Sequence, residues 1–269
     1  MEINQVLLAF GLTLFAGLST GIGSAMALLT RHTNKTFLSL SLGFSAGVMI
    51  YVSFVELLDE ARLSLIAEHG ERWGSWYTAA GFFAGMLFIA IIDRIIPSFE
   101  NPHEARSVEE MAGKAGSTDP KLMRIGVFSA IAIAVHNFPE GMATFAAGLK
   151  DINVAIPIAV AIAIHNIPEG IAVSVPIYQA TGSRKKAFRL SFLSGLAEPV
   201  GALIGFIFLS RFMSETVFGL LFASVAGIMV FISLDELLPT AKEYGKPHTA
   251  IYGLIAGMVV MSISLLLFL

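Results

Sequence analysis

The chain has 269 residues, of which 55% are hydrophobic and only 14% are charged, and its mean hydropathy is +0.77. Soluble globular proteins carry about a quarter charged residues, so this composition excludes an ordinary water-soluble fold and predicts a chain largely surrounded by lipid. The net charge of -3 gives no reason to expect a nucleic-acid partner, and the absence of cysteine excludes disulfides, thiolate metal ligands and a thiol nucleophile.

Eight apolar segments follow one another along the chain. A helix needs about 20 apolar residues to cross a membrane, and these segments lack the two-residue alternation of barrel strands. The windows are about 4–30, 36–58, 74–96, 122–148, 152–179, 187–211, 216–238 and 249–269. We therefore predict an all-α integral membrane protein with eight transmembrane helices, forming a single transmembrane domain over residues 1–269.

The first segment could be mistaken for a signal peptide. However, Glu2 is the only charge ahead of it, and the uncharged run is longer than the 7–15 or so residues of a signal sequence. No small-residue cleavage site follows it directly. We expect it to be retained as the first membrane span.

Lysine and arginine are distributed unequally between the connections, and this orients the chain. The connections after the second, fourth and sixth segments hold only Arg62, Arg72, Lys150 and Arg211. The opposite side holds Arg31, Lys35, Arg94, Arg106, Lys114, Lys121, Arg124, Arg184, Lys185, Lys186, Arg189, Lys242 and Lys246. Because positively charged connections stay in the cytoplasm, we predict that both termini are extracytoplasmic and that residues 97–121 form a flexible cytoplasmic loop.

The fourth and fifth segments repeat one polar motif in an otherwise apolar setting. The motif reads AVHNFPEGMATF over residues 134–145 and AIHNIPEGIAVS over residues 163–174. In each copy the histidine and the glutamate stand at i and i+4 and therefore share one helix face. Each copy also holds a proline, which lacks a backbone donor and predicts a bend in the helix.

These motifs place carboxylates near the centre of the bilayer, where each costs about 2.5–3.5 kcal/mol on insertion scales. Two of them close together repel each other, and no lysine or arginine lies at a comparable depth in any segment. A divalent cation would supply the missing positive charge, and imidazole with carboxylate suits zinc, iron and manganese. Glu198, in GLAEPVG of the sixth segment, is a candidate third carboxylate.

Three other interpretations of the motifs remain open at this point: buried structural polar residues, a proton relay, and an intramembrane metal-dependent hydrolase or protease. The enzyme interpretation rests on the similar spacing of H-E-x-x-H. Here the residue after each histidine is Asn137 or Asn166, which cannot act as a general base, and no G-x-S-x-G occurs. These features disfavour an enzyme.

The first three segments resemble the last three. AGVMIYVSFVELLDEA (46–61) matches AGIMVFISLDELLPTA (226–241) at a constant offset, GFFAGM matches GLIAGM, and GLSTGIG from Gly17 matches GLAEPVG from Gly195. Partner segments cross the membrane in opposite directions, which predicts a 3+2+3 inverted repeat with binding sites near the midplane. Close helix packing alone would explain the matching small residues but not the matching glutamates.

The repeat gives Glu56 and Glu236 equivalent places on opposite sides of the midplane. Glu56 lies toward the outer end of the second segment, whereas Glu236 and its neighbour Asp235 lie toward the inner end of the seventh. We expect Glu56 to meet an incoming ion, and Asp235 with Glu236 to form a possible exit path. Simple boundary residues are the alternative.

With HNFPEG, HNIPEG, GLAE and the glutamate of SFVELL, the chain resembles the ZIP (Zrt-, Irt-like protein) family of divalent metal transporters, and in particular its bacterial ZupT type. The resemblance covers essentially the whole chain. It implies import of zinc, and also of iron, manganese, cobalt or cadmium, as substrates and without a cofactor. It further implies a homodimer and, for a bacterial chain, a multi-pass protein of the inner membrane.

The resemblance also implies a binuclear metal site. The first metal would be held by Glu56, His136, Glu140, His165 and Glu169. The second would be held by Asn137, Glu140, Asn166, Glu169 and Glu198. Many members of the family carry an acidic residue in place of Asn166, so the second site of this chain has one negative charge fewer.

Overall fold

The computed structural model describes residues 3–29, 35–95, 120–209, 214–246 and 248–267, and no strand occurs within these ranges. A π-helical turn, Ser53–Leu57, follows the helix that ends at Val52, and a second one, Ser233–Leu237, follows the helix that ends at Ile232. For the described part of the chain, the prediction of an all-α fold is confirmed. The α-helices, numbered in chain order, are α1 (Ile3–Leu29), α2 (Lys35–Val52), α3 (Leu58–Ile95), α4 (Pro120–Lys150), α5 (Ile152–Thr181), α6 (Arg184–Gly195), α7 (Ala197–Leu209), α8 (Glu215–Ile232), α9 (Leu238–Tyr244) and α10 (Thr249–Leu267).

Six stretches within the described ranges are long and apolar enough to cross a membrane. One of them, Thr36–Arg94, has 59 residues, and at about 1.5 Å per residue it far exceeds the ~30 Å of hydrocarbon in one crossing. Gly70, with φ 74° and ψ 166°, interrupts the helical backbone in this stretch. The stretch therefore consists of two helical parts, one on each side of Gly70. Because α4 is not among the six, the count of eight spans remains a prediction.

The predicted cytoplasmic loop 97–121 lies almost entirely outside the described residues, which resume at Pro120. The predicted sixth segment, 187–211, is divided in the structure into α6 and α7, with Leu196 between them. Pro199 explains this break, because it has no N–H to donate to the carbonyl of Gly195. The break places Glu198 in the first turn of α7.

The helices form two groups. In the first group, α1 packs most extensively against α5, and α4 packs against both α5 and α7. In the second group, α2 packs against α10 and α3 packs against α8. The two groups meet chiefly through α2 with α5 and α4 with α8. The helices that carry the two motifs therefore lie between the rest of the first group and the second group.

Glycines bring backbones of the first group into direct contact. A Cβ atom at Gly23 of α1 would lie 1.8 Å from the carbonyl oxygen of Ile167 on α5. In the same way, a Cβ atom at Gly201 of α7 would lie 2.2 Å from the carbonyl oxygen of Phe138 on α4. Close approach through small residues is the usual way in which membrane helices pack. Here it fixes α1 against one motif and α7 against the other.

Replacing Gly23 with alanine should separate α1 from α5. We expect Gly23→Ala to destabilise the protein by about 1–3 kcal/mol, the usual cost of overpacking a filled interface, and to lower its unfolding temperature in detergent. Gly11 is the matched control on the same helix, because a Cβ atom there would have no atom within 4 Å. Gly11→Ala should leave the unfolding temperature unchanged or slightly higher. An equal effect of the two substitutions would contradict the close contact.

Candidate metal site

The two motifs face each other because α4 and α5 form a tight helical hairpin. Only Asp151 separates the helices, and its side chain caps α5 by accepting a hydrogen bond from the backbone N–H of Asn153 at 2.9 Å. His136 lies about as far before the end of α4 as His165 lies after the start of α5. The antiparallel arrangement therefore brings the two histidines to the same level of the hairpin.

The predicted residues of the two motifs are all buried, together with the carboxylate of α7. None of these side chains is more than 3% exposed. Such burial of carboxylates, amides and imidazoles is rare for structural residues and calls for partners. The set consists of His136, Asn137, Glu140, His165, Asn166, Glu169 and Glu198, and we call it the polar cluster.

Histidine and glutamate pair across the hairpin rather than within each motif. Nε2 of His136 lies 3.1 Å from Oε1 of Glu169, and Nε2 of His165 lies 3.2 Å from Oε2 of Glu140. The spacing of i and i+4 correctly predicted a shared face for the members of each motif. It did not predict that the partners would be exchanged. Each pair ties α4 to α5, so the two motifs act as one site.

The two asparagines connect the polar cluster to α1, α6 and α7. Nδ2 of Asn166 donates to the carbonyl oxygen of Ala16 at 2.9 Å and also to Oε1 of Glu198. Nδ2 of Asn137 donates to the carbonyl oxygen of Ser194 at 3.5 Å. The two backbone carbonyls could not be predicted from the sequence, since a carbonyl acceptor has no side-chain signature. Ala16 and Ser194, which carry these carbonyls, stand directly before the first glycine of the matched runs GLSTGIG and GLAEPVG.

Four oxygen atoms of the polar cluster remain available to a ligand. The hydrogen bonds of each amide use its nitrogen, and each of two carboxylates uses one oxygen. In the described part of the chain, no hydrogen-bond donor reaches Oδ1 of Asn137, Oε1 of Glu140, Oδ1 of Asn166 or Oε2 of Glu198. Buried acceptors without a donor are costly, and a cation is the partner that carboxylate and amide oxygens accept.

The structure does not bring Glu56 to the polar cluster. Its side chain is half-buried in the first π-helical turn and, within the described ranges, makes no hydrogen bond or ion pair. Glu236, in the second π-helical turn, is buried and lies near the cluster, whereas its neighbour Asp235 is exposed. Of the two residues predicted for the exit path, only Glu236 therefore adjoins the cluster.

A small cavity connects Glu236 with the polar cluster. Its polar lining consists of His136, Glu169, Glu236 and Thr240, and its volume is ≈ 10 Å³. A space of this size holds about one water molecule and therefore also one dehydrated metal ion. The cavity lies on the side of the cluster that the sequence predicts to face the cytoplasm.

The polar cluster contains the donor atoms of a metal site, but its histidines and glutamates are paired with each other. Among the described residues, no three histidine, aspartate or glutamate side chains are grouped closely enough to hold a metal ion as they stand. A cation would have to separate the histidine–glutamate pairs in order to bind. Because a metal ligand must give up its proton, cations and protons compete for the same atoms.

The sequence matches a family model described as ZIP zinc transporter over residues 99–265. It is also similar to proteins named zinc transporter ZupT along almost its entire length. The one from Streptococcus mutans is 64% identical over 260 residues, which are 97% of each chain. The one from Clostridium perfringens is 58% identical over 99% of this chain and 98% of its own. The one from Nitratidesulfovibrio vulgaris is 60% identical over the full length of both chains.

Proposed function

Because the chain belongs to the ZIP family of zinc transporters, we propose that its polar cluster is the site through which the metal ion crosses the membrane. The chain imports a divalent metal ion, and zinc is the transported substrate. It is a multi-pass protein of the bacterial inner membrane and not an enzyme, which removes the interpretation as a hydrolase or protease.

One observation carries the proposal: the polar cluster is buried among apolar helices, and two of its carboxylates have no lysine or arginine partner among the described residues. Neither Glu140 nor Glu198 forms an ion pair with lysine or arginine in the described part of the chain. Carboxylates inside a membrane protein mark ion pathways in most cases. Nitrogen and oxygen donors in one cluster also suit iron, manganese, cobalt and cadmium, which we propose as further substrates.

We propose two neighbouring ion positions in the polar cluster. The exchanged histidine–glutamate pairs support a first position with mixed nitrogen and oxygen ligands: His136, Glu140, His165 and Glu169. The four oxygens without a donor, on Asn137, Glu140, Asn166 and Glu198, support a second position with oxygen ligands alone, to which Glu169 would also contribute. Glu56 would join the first position only after a movement of its helix, because its side chain lies apart from the cluster. A homodimer is proposed from the resemblance to the family alone.

We also propose that the spans form a 3+2+3 inverted repeat. Paired backbone contacts support it. A Cβ atom at Gly141 would lie 2.1 Å from the carbonyl oxygen of Glu198, and one at Gly170 would lie 2.0 Å from that of Thr20. The two glycines end the repeated motifs, and the two carbonyls stand at matching positions of GLAEPVG and GLSTGIG. Gly201 and Gly23 are the last residues of the same two runs, and they contact α4 and α5 respectively.

The π-helical turns agree with this repeat. Ser53 begins the first turn and donates to the carbonyl oxygen of Met49 at 2.6 Å, and Ser233 begins the second and donates to that of Met229 at 2.7 Å. Both turns read S-x-x-E-L and follow the same A-G-x-M run. A shared irregularity at the same repeat position is hard to explain by packing alone, since π-helical turns are rare.

The orientation can be tested with single cysteines, because the chain has none of its own. We expect Asp151→Cys to react with an impermeant maleimide in intact cells, and Ser183→Cys to react only after the cells are opened. The reason is the excess of lysine and arginine on the side of Ser183. Labelling in the reverse order would place the termini in the cytoplasm and contradict the proposed topology.

The polar cluster can be tested by removing one charge and keeping the shape of the side chain. We expect Glu140→Gln to lower zinc uptake into proteoliposomes by roughly tenfold or more, the effect of losing about 1.4 kcal/mol of binding. Glu71, an exposed glutamate, gives the control variant Glu71→Gln, which should transport normally. Unchanged uptake by Glu140→Gln, with normal amounts of inserted protein, would contradict the assignment of the cluster.

Removing the carboxylate at the outer end of the ion path should change the uptake kinetics differently from removing the one at the inner end. Glu56→Ala should raise the apparent KM for external zinc several-fold, because an attractive charge at the outer mouth speeds capture of the ion. Glu236→Ala should instead lower kcat and leave KM unchanged or lower, because release is slowed. Zinc uptake at varied external concentration distinguishes them. A pure KM effect of Glu236→Ala would contradict its assignment to the exit path.

A further inference from the structure

Two hydroxyl groups on α1 are buried and have no hydrogen-bond partner within the described ranges. They belong to Thr20 and Ser24, both of which are 0% exposed. The two residues stand at i and i+4 and therefore lie on one face of the helix, one turn apart. Buried hydroxyls normally find an acceptor or a donor, so this pair needs an explanation.

The local backbone does not hold the hydroxyl of Thr20. Thr13 and Thr144 are also buried within helices, and each donates to the carbonyl oxygen four residues earlier at 3.0 Å. For Thr20 the corresponding acceptor is the carbonyl of Ala16, which already accepts from Ser19 at 2.6 Å and from Asn166 at 2.9 Å. The acceptor that a buried threonine ordinarily uses is therefore already occupied, in part by the polar cluster.

Thr20 and Ser24 belong to the part of α1 whose backbone is pressed against the second motif. A Cβ atom at Gly170 would lie 2.0 Å from the carbonyl oxygen of Thr20 and 2.9 Å from the backbone nitrogen of Ser24. Gly170 directly follows Glu169, which pairs with a histidine of the first motif. The hydroxyl pair is therefore immediately beside the helical turn that carries a carboxylate of the polar cluster.

Thr20 also occupies the place of Glu198 in the proposed repeat. A Cβ atom at Gly17 would lie 3.4 Å from Cβ of Glu198, and one at Gly195 would lie 2.8 Å from both Cβ and Oγ1 of Thr20. In the aligned runs GLST and GLAE, the threonine stands opposite the glutamate. Since Glu198 is the partner of Asn166, the repeat would assign Thr20 to the other asparagine, Asn137, although no hydrogen bond joins the two side chains.

We propose that Oγ1 of Thr20 is a further oxygen ligand of the transported ion, opposite Glu198, and that Oγ of Ser24 takes the ion one turn farther along α1. The inference rests on the proposed function of the polar cluster. A hydroxyl can bind a cation without adding a fourth carboxylate next to Glu140, Glu169 and Glu198. It therefore completes the oxygen shell and still lets the ion leave.

The test replaces the hydroxyl of Thr20 and keeps the shape of the side chain. Thr20→Val should raise the apparent KM for zinc or lower kcat by about 3–10-fold in proteoliposomes, the range expected when one neutral ligand is lost at ~0.7–1.4 kcal/mol. Thr20→Ser keeps the hydroxyl and should transport nearly normally. Thr13→Val is the matched control on α1, because the Thr13 hydroxyl is already bound to the backbone, and it should not change zinc kinetics. Ser24→Ala should change them in the same direction as Thr20→Val.

Thermal stability separates a ligand from a structural residue. Without metal, Thr20→Val should unfold at the same temperature as the parent or a higher one, because a buried hydroxyl without a partner has been replaced by a methyl group. The rise in unfolding temperature that zinc produces in the parent should be smaller in this variant. A structural hydroxyl would give the opposite result: lower stability without metal and an unchanged rise with zinc.

The outcomes distinguish this inference from the proposed function. If Glu140→Gln loses uptake while Thr20→Val transports like the parent, the hydroxyl is not a ligand and the polar cluster still is. Equal impairment of Thr20→Ser and Thr20→Val would assign the effect to packing and overturn the inference. If Glu140→Gln retains full uptake, both the cluster and its hydroxyl ligand are rejected.

Discussion

The exchange of histidine and glutamate partners between α4 and α5 is the interaction on which the other helix positions depend. It requires the two helices to be antiparallel and at one level, which the single-residue connection at Asp151 ensures. It leaves the asparagines of both motifs facing outward from the hairpin. Their amides then reach the carbonyls of Ala16 and Ser194. The flanking helices are thus held by the same polar residues that would bind the ion.

Because the helices form two groups, the carboxylates of the polar cluster would move separately from Glu56 and Glu236. All side chains of the polar cluster belong to α4, α5 and α7 of the first group, whereas Glu56 and Glu236 belong to the π-helical turns of the second. A displacement of one group against the other would leave the histidine–glutamate pairs intact. It would change the distance from the cluster to each of the two outlying carboxylates. The contacts between the groups are fewer than those within each group, so such a displacement would disrupt less packing than a movement within either group.

The sequence was sufficient to predict the helical fold and the residues that gather in the polar cluster, because hydropathy and motif spacing are both local. His136 and Glu140 could be assigned to one face from their spacing alone. That their partners would be Glu169 and His165 depends on how α4 packs against α5 and could not be read from either helix. The π-helical turns were also not foreseen, since S-x-x-E-L reads as ordinary helix. The position of Glu236 beside the cluster and of Glu56 apart from it follows from tertiary packing alone.

The paired π-helical turns have a consequence for the history of the chain. A π-helical turn accommodates one residue more than the α-helix on either side of it. The extra residue occurs in Ser53–Leu57 and again in Ser233–Leu237, with the same serine, glutamate and leucine. On the proposed repeat, the insertion therefore happened once, in an ancestral half-length protein, before gene duplication and fusion. On that repeat, the two halves have diverged at most positions, but both have kept the irregular turn that carries the glutamate.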